Sequence, residues 1–228
     1  MRRVGTTGAV IVAAGKSERM GGVDKLLAVI NDKPVLAWVI DAFEKCKAIE
    51  QIAVVINSQN LAQVRGLIFK EGWSKKIELC IGGRRRQDSV RAGLERLDGC
   101  DWVVIHDGAR PLVTADLINR GLNAARENDS AVAAVQVTDT IKVVGSPRTV
   151  QYTPSRETLW AVQTPQIFRY EILDEAYRKV KGDVTDDASL VERSGYSVQL
   201  YEGSYDNIKI TTPVDLALAE VLLKRRKK

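Results

Sequence analysis

The stretch Ala9-Val10-Ile11-Val12-Ala13-Ala14-Gly15-Lys16-Ser17-Glu18-Arg19-Met20-Gly21-Gly22-Val23-Asp24-Lys25 passes from an unbroken apolar run into small residues, with the cations Lys16, Arg19 and Lys25 following. An apolar run too short for a helix and closed by glycine fits a strand buried on both faces, and such strands belong to parallel sheets covered by helices. Working outward, β-rich apolar runs recur at Ile52–Ile56, Ile77–Ile81, Trp102–Ile105, Ala131–Val137 and Val198–Tyr201. Between most of them the periodicity is helical. Pro34 can open a helix whose face carries Leu36, Val39, Ile40 and Phe43, and Leu117, Ile118, Gly121, Leu122 and Ala125 form a second stripe. Thr212, Pro213 and Asp215 predict the start of a final helix with Val214, Ala217, Leu218, Val221 and Leu222 as its buried face. The alternation predicts an α/β fold, Rossmann-like, with a mostly parallel twisted sheet and helices on both faces.

One stretch breaks that rhythm. Thr138–Val144 and Thr149–Thr153 flank the turn Gly145-Ser146-Pro147 and predict a β-hairpin. A lone hairpin is marginal in water. It therefore lies against its own domain or protrudes as an arm onto a second subunit, and the pattern alone favours neither.

The composition, 45% hydrophobic and 28% charged over 228 residues, excludes disorder and fits one domain over 1–228, with 138–156 as an arm-like subregion. No apolar run approaches the roughly eighteen residues of a membrane helix. The run Ala9–Ala14 is also shorter than a signal-peptide core, so a cytoplasmic location is expected. The formal charge of +5 is matched by the five tail cations Lys224, Arg225, Arg226, Lys227 and Lys228. Cations at a helix C-terminus complement its dipole, so neither nucleic acid nor a membrane is expected as partner. The single histidine, His106, and the cysteines Cys46, Cys80 and Cys100 show no zinc-site spacing, which leaves carboxylates as the metal ligands.

In an open α/β sheet, chemistry sits outside the carboxyl ends of the strands. The first loop suits a phosphate chain, but it is no Walker A loop, because the first glycine of that motif would have to replace Val10. After the third run, Gly82-Gly83-Arg84-Arg85-Arg86-Gln87-Asp88-Ser89 fits either an anion site at a helix N-terminus or a capped helix with a solvated basic turn. The fourth run leads into His106-Asp107-Gly108-Ala109-Arg110-Pro111. Asp107 is the metal candidate, since magnesium needs only one or two carboxylates when phosphate oxygens and water complete its shell. His106 is expected to point away into packing.

Taken with Thr138-Asp139-Thr140, Thr164-Pro165-Gln166, Thr185-Asp186-Asp187-Ala188-Ser189 and Asp206-Asn207-Ile208-Lys209, these loops resemble the 2-C-methyl-D-erythritol 4-phosphate cytidylyltransferase family over nearly the whole chain. The departures are Asp24, where a proline often precedes the loop lysine, and Gly108, where alanine is frequent. Asp24 bears on the local shape of the loop.

The resemblance implies transfer of a cytidylyl group from CTP to methylerythritol phosphate, with magnesium required and pyrophosphate released, in the non-mevalonate isoprenoid pathway. It implies Arg19, Lys25 and Lys209 as catalytic cations, and Ala13, Ala14, Gly82 and Ser89 around the cytosine. Gly15, Arg86 and Asp88 belong to the same nucleotide set, and Asp107 would hold the metal. For the acceptor it implies Asp107 and Arg110 from one subunit, Thr140 and Arg156 from its partner, and Thr164, Thr185 and Lys209, which makes the hairpin a homodimer arm. Without the resemblance, Thr185 fits a helix cap and Lys209 a solvated lysine. Two alternatives stand: a ribitol-phosphate cytidylyltransferase, which shares the nucleotide loops, and a regulatory module that binds CTP without catalysis.

Overall fold

Strand β1 (Thr7–Ala13) is an interior strand of a seven-stranded sheet in the order β11-β7-β10-β6-β1-β4-β5. Its neighbours are β4 (Gln51–Ile56) and β6 (Trp102–Asp107), both parallel to it. The other members are β5 (Lys76–Ile81), β7 (Ser130–Gln136), β10 (Trp160–Arg169) and β11 (Gln199–Glu202). The computed structural model describes residues 5–15, 20 and 24–226. Every strand expected in the sheet forms within two residues of its expected bounds.

The strands β1, β4 and β6, buried along nearly their whole length, alternate their side chains between two cores. On one face Ala9, Ile11, Val54 and Val104 pack against α1 (Val35–Lys45), α2 (Leu61–Glu71) and α4 (Ala115–Asn128). On the other, Val10, Val55, Val103 and Phe168 pack against α3 (Arg86–Leu94), α5 (Tyr170–Lys179) and α6 (Asp187–Arg193). Gly93 of α3 lets that helix approach the sheet, because a Cβ there would lie 2.4 Å from Val10. The stripes expected on α1 and α4 are buried in full.

Strand β10 was not among the sequence expectations. It runs antiparallel between β6 and β7, and its register against β7 shifts between Val162 and Gln166, where Pro165 lacks the N–H that a regular ladder needs. The final helix, α7 (Pro213–Arg226), corrects the expected face. Ala219 and Leu223 are buried, with Leu216 and Leu222 packed against the same cluster of Met20, Ile30, Val35, Leu112 and Ile210. Val214, Leu218 and Val221 are instead exposed. The helix is apolar nearly all round, so periodicity could not select the face.

The hairpin forms as β8 (Val143–Val144) and β9 (Val150–Tyr152), a separate two-stranded sheet shorter than expected. Ile141, Val144, Val150 and Tyr152 are all exposed, which disfavours packing onto its own domain. At the C-terminus, Arg225 pairs with Asp206 at 2.7 Å and Arg226 donates to the Leu112 carbonyl at 2.6 Å, so part of the basic tail folds back onto the body. Among the described residues no helix is long and apolar enough to cross a membrane.

Candidate active site

The sheet order reverses at β1: the chain builds β4 and β5 on one side, then returns to place β6 on the other. A crevice must open at the carboxyl ends there. It is a cleft of about 570 Å³, lined by Ala13, Ala14 and Gly15 after β1, Gly83 to Arg86 after β5, Asp107 at the end of β6, and Lys25, Ser89 and Lys209. Backbone hydrogen bonds lock the turns to the sheet: Gly82 N to Ile56 O and Gly108 N to Val12 O, both at 2.8 Å. Ile210 N donates to Ala109 O at 2.8 Å, which draws Lys209 over the end of β6.

Glycine is required at position 82, where a Cβ would stand 2.4 Å from Ala14 Cβ and 2.7 Å from Ser89 Oγ. At Gly15 a Cβ would meet nothing within 4 Å. That glycine therefore leaves room facing the cleft rather than relieving a contact within the protein.

Asp107 is the electrostatic centre. Lys209 Nζ lies 2.6 Å from its Oδ2, and Arg86 Nε lies 3.5 Å from its Oδ1. Burial alone would push this carboxyl upward, but Arg86 and Lys209 outweigh that effect and hold it well below the usual carboxylate range. Behind it, Arg86 pairs at 2.6 Å with Asp187, which is 1% exposed and also accepts a 2.6 Å hydrogen bond from Tyr177 Oη. Burial would lower the Arg86 pKa, yet the attraction of Asp187 and Asp107 raises it, so the guanidinium stays charged. Asp187 lies in the Thr185–Ser189 motif, which by itself points to no role for it. Its function as the counterion of Arg86 joins residues 101 positions apart, which no local pattern could reveal.

His106 is fully buried, beside the Phe43 ring, and burial pushes its pKa down to about 4. The expected inward direction is observed. Its Nε2 faces the Arg110 carbonyl at 3.3 Å, and its Nδ1 faces Thr164 Oγ1 at 3.1 Å. A carbonyl only accepts, so the proton sits on Nε2 and the Thr164 hydroxyl donates to Nδ1. Thr164 Oγ1 then accepts from the Asp107 N–H at 3.0 Å. Thr164 is thus tied behind Asp107, its one hydroxyl proton already engaged.

Other expected residues divide clearly. Ala13, Ala14, Gly15, Lys25, Arg86, Ser89, Asp107 and Lys209 line one cleft. The Asp88 carboxylate instead accepts from the Arg85 backbone N–H and guanidinium at the start of α3. Arg110 donates to the Asn207 carbonyl at 2.7 Å, and its buried Nε has no partner among the described residues. Thr185 is exposed, and its cap role is corrected: Asp186 caps α6, accepting from Ser189 N at 3.0 Å, because the carboxylate rather than the hydroxyl reaches the orphan N–H. Thr140 and Arg156 are exposed on the arm, where Arg156 bonds the Thr138 carbonyl. Arg19 lies outside the described residues.

Among the described residues, five cations, Lys25, Arg84, Arg85, Arg86 and Lys209, line the cleft against one carboxylate, so it is built for an anion. With a glycine-bearing turn after β1 and an ionised aspartate at a strand end, this is the site of a nucleotide-handling α/β protein, the class that includes the nucleotidyltransferases. The chain matches the family model for 2-C-methyl-D-erythritol 4-phosphate cytidylyltransferase over residues 7–225. A relative of that name from Dehalococcoides mccartyi is 50% identical over 218 residues, covering 96% of each chain. Another, from Alkaliphilus metalliredigens, is 42% identical over 224 residues, covering 96% of this chain and 93% of its own. The crystal structure of 4-diphosphocytidyl-2C-methyl-D-erythritol synthase from Anaerococcus prevotii superposes with a TM-score of 0.88 at 30% identity, covering 97% of both chains. The chain belongs to the 2-C-methyl-D-erythritol 4-phosphate cytidylyltransferase family, and it is a nucleotidyltransferase.

Proposed function

We propose that the cleft transfers the cytidylyl group of CTP to the phosphate of 2-C-methyl-D-erythritol 4-phosphate, giving 4-diphosphocytidyl-2-C-methyl-D-erythritol and pyrophosphate in the non-mevalonate isoprenoid pathway. The observation that carries this mechanism is the cationic rim of the cleft around an Asp107 held ionised. The attacking phosphate oxygen is already ionised at neutral pH, so no general base is needed, in keeping with a sole histidine buried in the core. Catalysis rests on positioning and charge. Lys25 and Lys209, with Arg19, stabilise the negative charge that gathers on the five-coordinate α-phosphorus. Ala13, Ala14, Gly82 and Ser89 form the cytosine pocket.

Magnesium fits this site through its donor set. Asp107 is a single ionised carboxylate beside a phosphate-binding cleft, and among the described residues no group of three or more His, Cys, Asp or Glu competes for the ion. When bound, the ion supplies Lewis-acid charge and orientation to the phosphate oxygens. Asp107 is the residue that would hold it, while Thr164 and Arg86 fix Asp107 from behind.

Arg110, and Thr140 and Arg156 of a second copy, complete the acceptor side. The exposed apolar arm supports a homodimer, since Ile141, Val144, Val150 and Tyr152 are all left exposed among the described residues. The chain acts as one domain, and its three free cysteines accord with a cytoplasmic location.

Lys25→Ala tests the mechanism. Removing a cation that acts in the transition state lowers kcat about a hundredfold or more while the KM for CTP changes far less. Equal losses in kcat and CTP binding in steady-state kinetics would contradict the role.

A further inference from the structure

Lys25 sits in the cleft on a short turn held at both ends. After it, Leu26 is 2% exposed, and its carbonyl accepts from Leu36 N at 2.9 Å at the start of α1. Before it, Asp24 makes an Asx-type turn in which Oδ1 accepts from Leu26 N at 2.9 Å, while its backbone carbonyl accepts from Leu27 N and Ala28 N. The second carboxylate oxygen, Oδ2, accepts from Asn60 Nδ2. Asn60 is buried and belongs to the turn Ser58–Asn60 that follows β4, where Asn57 Oδ1 accepts from its backbone N–H at 2.9 Å. Neither Asp24 nor Asn60 lines the cleft.

We infer that the Asp24–Asn60 pair is a positioning clamp that ties the catalytic turn to the carboxyl end of β4 and so fixes where Lys25 enters the cleft. The inference rests on the role given to Lys25 above. Asp24 restrains the backbone through two side-chain hydrogen bonds, one of them to a separate element. A charge placed on a bound phosphate group is sensitive to displacement, and misplacement by about 1 Å can cost on the order of a hundredfold in rate.

The test exchanges the partners. Asn60→Asp sets two carboxylates face to face and breaks the clamp from a position outside the cleft. The double variant Asp24→Asn with Asn60→Asp restores a donor opposite an acceptor and keeps an amide oxygen at position 24 for Leu26 N. The expected result is a fall in kcat of about tenfold for Asn60→Asp, with the KM for methylerythritol phosphate within about twofold and a cooperative thermal transition retained. The double variant recovers kcat to within about twofold of wild type. Asp24→Ala, on the half-buried side of the pair, gives the same measurement if Asn60→Asp does not fold. Wild-type kcat in the folded single variants, or a loss that persists in the exchange variant, overturns the clamp. If Lys25→Ala also keeps wild-type kcat, the role of Lys25 fails and the clamp with it; a loss in Lys25→Ala alone overturns only the clamp.

Discussion

His106 is a structural residue beside a functional one, as its place in the sequence led one to expect. It precedes Asp107 in a loop rich in charged residues, yet it is 0% exposed and its two ring nitrogens are taken by the Arg110 carbonyl and Thr164. Burial lowers its pKa from 6.5 to about 4, so the unfolded chain binds a proton that the native state refuses. Between those values the unfolded state carries more protons, and stability falls as the pH falls. The contribution of His106 is complete above about pH 6.5 and lost by about pH 4, on the order of 3 kcal/mol. With one histidine in the chain, its ring resonance is unambiguous by NMR. That resonance is expected to show no titration down to pH 5, with the urea midpoint falling over the same range; a midpoint near 6.5 would place the ring in water.

At the scale of elements, what the sequence made legible was what local pattern encodes. Strands β1, β4 and β6 each contain an apolar run and α1 and α4 carry clean stripes, so the places of the strands and the buried faces of these two helices follow from local pattern. Strand β10 was hidden because Pro165 argues against a strand and only a register shift admits it. The face of α7 was hidden because apolar residues surround it. In the site, the residues at strand ends were legible as candidates, but the brace behind them was not. Arg86 and Asp187 meet only because α3 and α6 cover the same face of the sheet. Asp187→Asn removes the charge that balances a largely buried guanidinium and is expected to lower stability by about 3 kcal/mol in urea unfolding. A change within the error of that measurement would show that Asp107 alone suffices to hold Arg86.

For the whole molecule, the arm is the feature that the isolated chain leaves incomplete. Thr140 and Arg156 stand on exposed backbone and do not line the cleft of their own chain. If they serve a second copy, Asp107→Asn and Arg156→Ala damage different subunits' contributions to one site. Mixed dimers then hold one site with both changes and one with neither. Refolding the two inactive variants together should restore roughly a quarter of wild-type activity. No recovery, with mixed dimers demonstrated, would place Arg156 in its own subunit's site or outside catalysis.

The cleft is to transfer the cytidylyl group of CTP to one particular sugar phosphate, with pyrophosphate leaving. The direct measurement is pyrophosphate release from the purified protein with each of the four nucleoside triphosphates and either methylerythritol phosphate or ribitol phosphate, in magnesium and again after chelation. Release is predicted only with CTP and methylerythritol phosphate, and only while magnesium is present. Release with ribitol phosphate alone, or CTP binding with no release from any mixture, would contradict transfer to methylerythritol phosphate.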